Sequence, residues 1–189
     1  LNLISFKNAI TWIHEPENMD QVSKSLERLK FDEAFILQTV LMQRRAKDSL
    51  LPATPRGAKK DGILSIFDKN LPFELTNGQK EIGELLFKEI NQTHPMHRLL
   101  QGEVGSGKTV IAIRSALLVI ESGGQAALLA PTEVLAAQHL KTIEKLLGEL
   151  ALGGTLLGSA EGTQITLLTG SMSKEAKSEA LAFACAANS

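Results

Sequence analysis

The sequence is poor in several things, and each shortage excludes something. It has one cysteine, Cys185, in 189 residues, so no internal disulfide is available to it. A buried structural thiol in a reducing cytoplasm is the expectation. It has no apolar run approaching the ~18 residues of a membrane span, so it should not cross a bilayer. Its first residues carry no basic-then-apolar leader pattern, and Leu1 in place of a start methionine suggests a processed piece or a fragment. It has no excess of one charge: 20 Lys and Arg stand against 21 Asp and Glu, for a net charge of -1. Overall charge therefore does not announce a nucleic-acid partner. Finally, no aspartate follows Asp68, an absence that bears on the chemistry below. What remains is a chain with the apolar share of an ordinary globular protein. It is long enough for one domain with an appendage, or for two small ones.

To about residue 70 the pattern is helical. Ser5 is placed to cap a short helix carrying Phe6, Ala9, Ile10 and Ile13, with Trp12 on its apolar face as a core residue. His14-Glu15-Pro16 ends it, because the residue before proline disfavours the α region. From about Asp20 to Lys47, the residues Val22, Leu26, Leu29, Ala34, Leu37, Val40 and Leu41 recur at helical spacing, with Lys30-Phe31-Asp32 as a candidate break. Pro52, Pro55 and Gly57 form a turn-rich connector. Arg44, Arg45, Lys47, Arg56, Lys59 and Lys60 cluster around it. They read as phosphate contacts or, more simply, as solvated cations at a helix C-terminus.

From Leu71 a different rhythm begins. Thr76 and Gln79 form the capping-box pair ahead of Ile82, Leu85, Leu86 and Ile90. Residues 98–101, 125–130 and 165–168 read as strands. The first leads to an apolar helix closed by Gly123-Gly124, the second to a helix from about Glu133 to Leu147, and the third to a helix capped by Ser173. Strands alternating with helices imply a parallel sheet covered by helices. Ligands of such sheets bind beyond the carboxyl ends of the strands, where all three post-strand turns lie.

The first of those turns is Gly102-Glu103-Val104-Gly105-Ser106-Gly107-Lys108-Thr109, a full match to the P-loop pattern G-x-x-x-x-G-K-[ST]. Its glycines permit positive φ and bring backbone N–H groups close to anionic oxygens. Lys108 supplies a point charge for the β- and γ-phosphates, and Thr109 a hydroxyl for Mg²⁺. A glycine-rich turn opening an ordinary helix is the plainer alternative, and the strand–loop–helix context opposes it. ATP with Mg²⁺ is the expected cofactor. Hydrolysis needs an acid after a second apolar strand and a group to orient water. No aspartate is available after Thr109, and none of the glutamates there directly follows such a strand. Nucleotide binding without efficient turnover is the expectation for this chain.

Four segments together resemble the RecG family of superfamily 2 DNA helicases. Leu71-Pro72-Phe73-Glu74-Leu75-Thr76-Asn77-Gly78-Gln79 is similar to its L-P-F-x-L-T-x-x-Q segment. Residues 101–109 are similar to Q-G-D-V-G-S-G-K-T, with Glu103 where the family usually has aspartate. Ala130-Pro131-Thr132-Glu133-Val134-Leu135-Ala136-Ala137-Gln138-His139 resembles motif Ia. Leu168-Thr169-Gly170-Ser171 resembles the L-T-G-S turn. The likeness spans roughly the last two-thirds of the chain, with a looser match before it. It implies an α/β P-loop NTPase fold: a partial RecA-like parallel sheet with flanking helices, preceded by a helical linker. Residues 1–70 would be that linker with its basic connector, and residues 71–189 the N-terminal part of the first motor lobe. The D-E-x-H motif, motif III, the second lobe, the arginine finger and the N-terminal wedge have no counterpart here. The family's activity is ATP-driven branch migration of forked and Holliday-junction DNA in the bacterial cytoplasm.

The resemblance adds a second role to several residues. Gln79 is a capping residue by its spacing; the family reads adenine with it, since an amide carries one donor and one acceptor for a bidentate contact. Phe73 is a core aromatic or a base-stacking one. Pro131, Thr132 and Glu133 open a helix, with Thr132 as its cap; the family sets them against the DNA backbone. Thr169, Gly170 and Ser171 form a capped turn or a strand-tracking contact. His94, His97 and His139 lack metal-ligand spacing. Three other readings stand beside this one. A transcription-repair coupling translocase shares much of the P-loop and motif Ia pattern, although Phe73 and Ser106 favour RecG. A small-molecule kinase would bring a lid with arginines, and only Arg114 follows Lys108. An unrelated, non-enzymatic nucleotide-binding module is the third.

Overall fold

The computed structural model describes residues 2–153, 158 and 162–186. The chain divides into two compact units, Leu1–Pro52 and Ala53–Ser189.

The first unit is a helical hairpin. Helix α1, Phe6–His14, starts where Ser5 accepts from Asn8 N at 3.1 Å, and it stops before Pro16. Helix α2, Met19–Asp48, is capped by Asn18, which accepts from Gln21 N at 3.0 Å. It runs unbroken through Lys30-Phe31-Asp32, contrary to the expected interruption. Neither glycine nor proline occurs there, and Arg28 bonds Asp32 one turn on at 2.9 Å, which bridges the suspected break. Arg28 also donates to Ile4 O at 2.9 Å, tying α2 to the approach of α1. The fully buried residues are the small ones, Ala9 and Ser25. Trp12 is half-buried rather than a core residue, and much of the apolar stripe at Leu37, Val40 and Leu41 is exposed.

The second unit contains a packed core. Helix α3, Ile63–Asn70, and helix α4, Asn77–Ile90, both pack on helix α5, Lys108–Glu121. Their shared interior holds Ile63, Leu64, Phe67, Val110, Ile113, Leu117 and Leu118, joined by Leu147 and Leu150. Burying one such side chain contributes roughly 1.5–3 kcal/mol. Helix α6, Glu133–Leu147, runs into a 3-10 turn, Gly148–Ala151. Helix α7, Lys174–Ala186, begins after Ser173, whose hydroxyl accepts from Ala176 N at 3.2 Å as its capping role requires. Cys185, expected to be buried, is exposed on α7.

The three segments expected as strands, 98–101, 125–130 and 165–168, form no strand and join no ladder among the described residues. An isolated antiparallel bridge, Leu152 with Gln164, is recorded instead. Leu99 and Leu129 are about nine-tenths exposed (89% and 91%). A parallel strand acquires its hydrogen bonds only from neighbours, and its apolar faces need helices on both sides. The apolar composition of a segment records neither requirement. Among the described residues, no helix is long and apolar enough to cross a membrane.

Candidate nucleotide site

The P-loop is built by two glycines in the left-handed region, Gly105 at φ 83° and Gly107 at φ 84°. A residue with a Cβ is strained at both. Gly107 is the N-cap of α5 and supplies no side-chain cap; Val110 N donates to Gly107 O at 3.0 Å, and the N–H groups of Lys108 and Thr109 ahead of it open the helix towards an anion. A Cβ on Gly102 would approach Ser106 Oγ to 2.8 Å, so a larger residue there would have to turn the Ser106 hydroxyl aside. Ser106 N donates to Glu103 O at 3.2 Å, completing the turn. Glu103, Val104 and Ser106 are exposed along it.

Lys108 is half-buried, and its ammonium lies on the loop's own carbonyls, 2.9 Å from Gly102 O and 2.6 Å from Glu103 O. Thr109 follows in the first turn of α5, also half-buried. The arrangement suits a polyphosphate: free helix-end donors, a cation within reach, and a hydroxyl one residue on.

Gln79 belongs to this loop as well as to its cap. Its Oε1 accepts from Thr76 N at 2.9 Å, and its own N–H donates to Thr76 Oγ1 at 3.3 Å, so the capping box is complete. Its Nε2 then reaches across 27 positions to Ser106 O at 2.9 Å. Cap and loop contact are thus made by one amide. Oxygen keeps a second lone pair and nitrogen a second hydrogen, so a base could still be met by the same group. A Cβ on Gly107 would collide with Gln79 Nε2, which gives that glycine a second reason. Phe73 is 46% exposed and lines a cavity of about 560 Å³ with Asp68, Leu71, Leu75, Lys80 and Arg114, a lining that includes none of residues 102–109.

The other predicted residues form a separate cluster. Thr132 caps α6, accepting from Leu135 N at 3.3 Å. Glu133 Oε1 accepts from Ser171 N at 2.7 Å, which joins the turn at 131–133 to the turn at 169–171. Lys177 Nζ donates to Gly170 O at 2.6 Å behind it, and the Thr169 and Ser171 hydroxyls lie 3.4 Å apart. Hydrogen bonding from Ser171, by its side chain and then its backbone, holds the Glu133 carboxyl below its ordinary value of 4.5. Pro131, Thr132, Glu133, Gly170 and Ser171 are exposed. The basic cluster of the connector is less available than its sequence suggests. Arg44, Arg45 and Lys47 lie at or next to the last turn of α2, where the dipole favours cations, but Arg56 is spent on Ser122 O at 2.8 Å.

Sequence reasoning missed Arg114 and Glu121, both buried on α5. Arg114 forks onto Asp68 with two bonds of 2.8 Å, and Glu121 accepts from Lys59 N at 2.8 Å and Leu64 N at 3.2 Å. The signal was present: they are the sole charges in an otherwise apolar helix after Lys108, and a charge there requires an internal partner.

A P-loop opening a buried helix, with a capping glutamine laid on its backbone, is the arrangement of a P-loop NTPase fold. The chain belongs to the DEAD/DEAH box helicase family, whose model matches residues 78–182, more than half of it. It is 45% identical to the ATP-dependent DNA helicase RecG of Mycobacterium leprae (strain TN), over 93% of this chain and 24% of that protein. It is 37% identical to RecG of Borreliella burgdorferi, over 95% of this chain and 24% of that protein. A solved structure of RecG bound to a three-way DNA junction superposes with a TM-score of 0.76 at 31% identity, covering 94% of this chain and 23% of that one. The fold is therefore that of the P-loop, RecA-like NTPases. The chain spans about a quarter of the length of the curated relatives it matches.

Proposed function

We propose that this chain is the nucleotide-binding beginning of a RecG-type, ATP-dependent DNA helicase motor, together with the helical segment that leads into it. The observation that carries the reading is the uncapped N-terminus of α5 behind a loop with two left-handed glycines, with Lys108 and Gln79 both anchored on loop carbonyls. Backbone N–H groups of 105–109 would hold the β-phosphate. Lys108 would leave the Gly102 and Glu103 carbonyls for the β- and γ-oxygens. Thr109 would offer its hydroxyl to Mg²⁺. Gln79 and Phe73 would take the adenine. When bound, the magnesium nucleotide supplies the phosphoanhydride whose hydrolysis drives the motor.

Segments 98–101, 125–130 and 165–168 would be strands of the parallel sheet, with the P-loop and residues 131–133 at its ligand edge. The functional division would set the linker over 1–70 and the motor lobe from Leu71, so that α3 is the part of the linker packed on the motor. Pro131, Thr132, Glu133, Thr169, Gly170 and Ser171 would follow a DNA strand. The intact protein would act in the bacterial cytoplasm on forked and Holliday-junction DNA, with a second lobe and a wedge supplied outside these residues. Several named relatives are RecG, so the transcription-repair translocase and the unrelated nucleotide-binding module are not favoured.

Calorimetric titration with Mg·ATP tests the reading. The parent chain should bind, and Lys108→Ala should lose most of that affinity while its thermal unfolding moves little, since the Lys108 ammonium bonds only exposed loop carbonyls. Equal affinity of the two would end the proposal. Neither should hydrolyse ATP at a motor's rate, with forked DNA or without it.

A further inference from the structure

Helix α3 is clasped to the P-loop helix at both ends. At its start, Glu121 of α5 accepts from Lys59 N and Leu64 N, taking the place of the side-chain cap that Gly62 lacks. A Cβ on Gly62 would strike Glu121 Oε2, so the approach is tight. Towards its end, Asp68 receives the two-pronged guanidinium of Arg114, Nε to Oδ1 and Nη2 to Oδ2, each 2.8 Å. Arg114 and Glu121 are seven residues apart and so lie on one face of α5.

Arg114 is held on a third side. Its guanidinium carbon sits 5.1 Å from the Phe87 ring centroid on α4, and Nη1 presses on Gly83, where any Cβ would collide with it. Nη1 is buried and has no hydrogen-bond partner among the described residues. Removing a guanidinium from water carries a large penalty, and apolar residues of similar volume often serve stability as well or better. A fork onto a carboxylate gives something apolar packing does not: a fixed distance and direction between two elements.

The chain passes from Asp68 directly into the segment bearing Phe73 and Gln79. That segment is tied to α5 at its front by Asp68–Arg114 and to the P-loop at its back by Gln79–Ser106. The cavity of about 560 Å³ that Phe73 lines is bordered by both Asp68 and Arg114. We propose that Asp68 and Arg114 are positioning residues for the nucleotide base. They set the height of the Phe73–Gln79 segment over the P-loop, so that base and phosphates of one nucleotide are met together. This rests on the reading that residues 102–109 bind the phosphates. The pair itself does not touch the nucleotide.

The test compares Mg·ATP with inorganic tripolyphosphate, which has no base, by calorimetry on the whole chain. Asp68→Asn should weaken ATP about tenfold and leave tripolyphosphate within about twofold, because only the prearranged base contacts are lost. Arg114→Lys keeps the charge and a single bond but not the fork. It should show the same selective loss, and it serves if Asp68→Asn does not fold. Equal losses for ATP and tripolyphosphate would make the pair a purely structural one and overturn the inference. So would an unchanged ratio in both variants, or a parent for which adenosine adds nothing over tripolyphosphate. A parent that does not bind tripolyphosphate at all would remove the phosphate reading, and the inference with it.

Discussion

The N-termini of α5 and α6 are both preceded by turns of the kind that hold phosphate, and they are finished in opposite ways. At α5 the cap is Gly107, left-handed and without a side chain, so among the described residues no side-chain acceptor meets the helix end. At α6 the cap is Thr132, which bonds Leu135 N, and the next residue, Glu133, brings a carboxylate that already bonds Ser171 N. One end of a dipole is left for a foreign anion; the other is supplied with an anion of its own. An open helix end is thus made by what is missing from it. The turn that opens α6 is a structural latch, whatever else it contacts.

That contrast can be broken by giving α5 what α6 has. Gly107→Asp would put a carboxylate at the N-cap, against Gln79 Nε2. Nucleotide affinity should fall on the order of 100-fold, through repulsion of the phosphates and loss of the loop's shape. A variant that binds Mg·ATP as tightly as the parent would show that the open cap is not the source of affinity.

A smaller change separates the two duties of Gln79. Gln79→Ala removes the bonds to Thr76 N and Ser106 O. It should lower stability by about 1 kcal/mol through the cap and erase a preference for ATP over GTP. If thermal unfolding shifts while the base preference survives, Gln79 is a cap and loop tie only.

The smallest expected effect is at the α6 end. The Glu133 carboxyl is held below its ordinary 4.5 by Ser171, so its bonds stabilise the folded chain at pH above that value. The contribution is lost as pH falls through the lowered value, when the carboxylate takes a proton. The Ser171 amide resonance should therefore move as pH falls below the ordinary carboxyl value of 4.5, and Glu133→Gln should hold it near its acid position at neutral pH. An amide signal indifferent to both would mean that the latch does not persist in solution.

The legible part of this molecule lies within a few residues of itself. Ser5, Thr76 with Gln79, Thr132 and Ser173 all cap the helices that their spacing announced, since each bond spans three residues. The helix from Glu133 to Leu147 has the bounds its pattern indicated. Strand pairing was not legible, because apolar segments such as 125–130 do not name their neighbours. Cys185 failed as a buried thiol for a similar reason: burial depends on what covers a helix face, and one residue type does not report that.

By itself the sequence determined the shape of the P-loop, because Gly105 and Gly107 act through local backbone geometry and Lys108 through carbonyls five and six residues back. It also determined which helix starts carry caps, for the same reason of short range. Only the tertiary structure decided that Gln79 would lie on Ser106, Glu133 on Ser171, Arg114 on Asp68 and Glu121 at the head of α3. Those partners are 27 to 57 positions apart. Such bonds leave no periodicity in the chain, and form where packed helices bring a charge or an amide to a group that would otherwise be buried or unpaired.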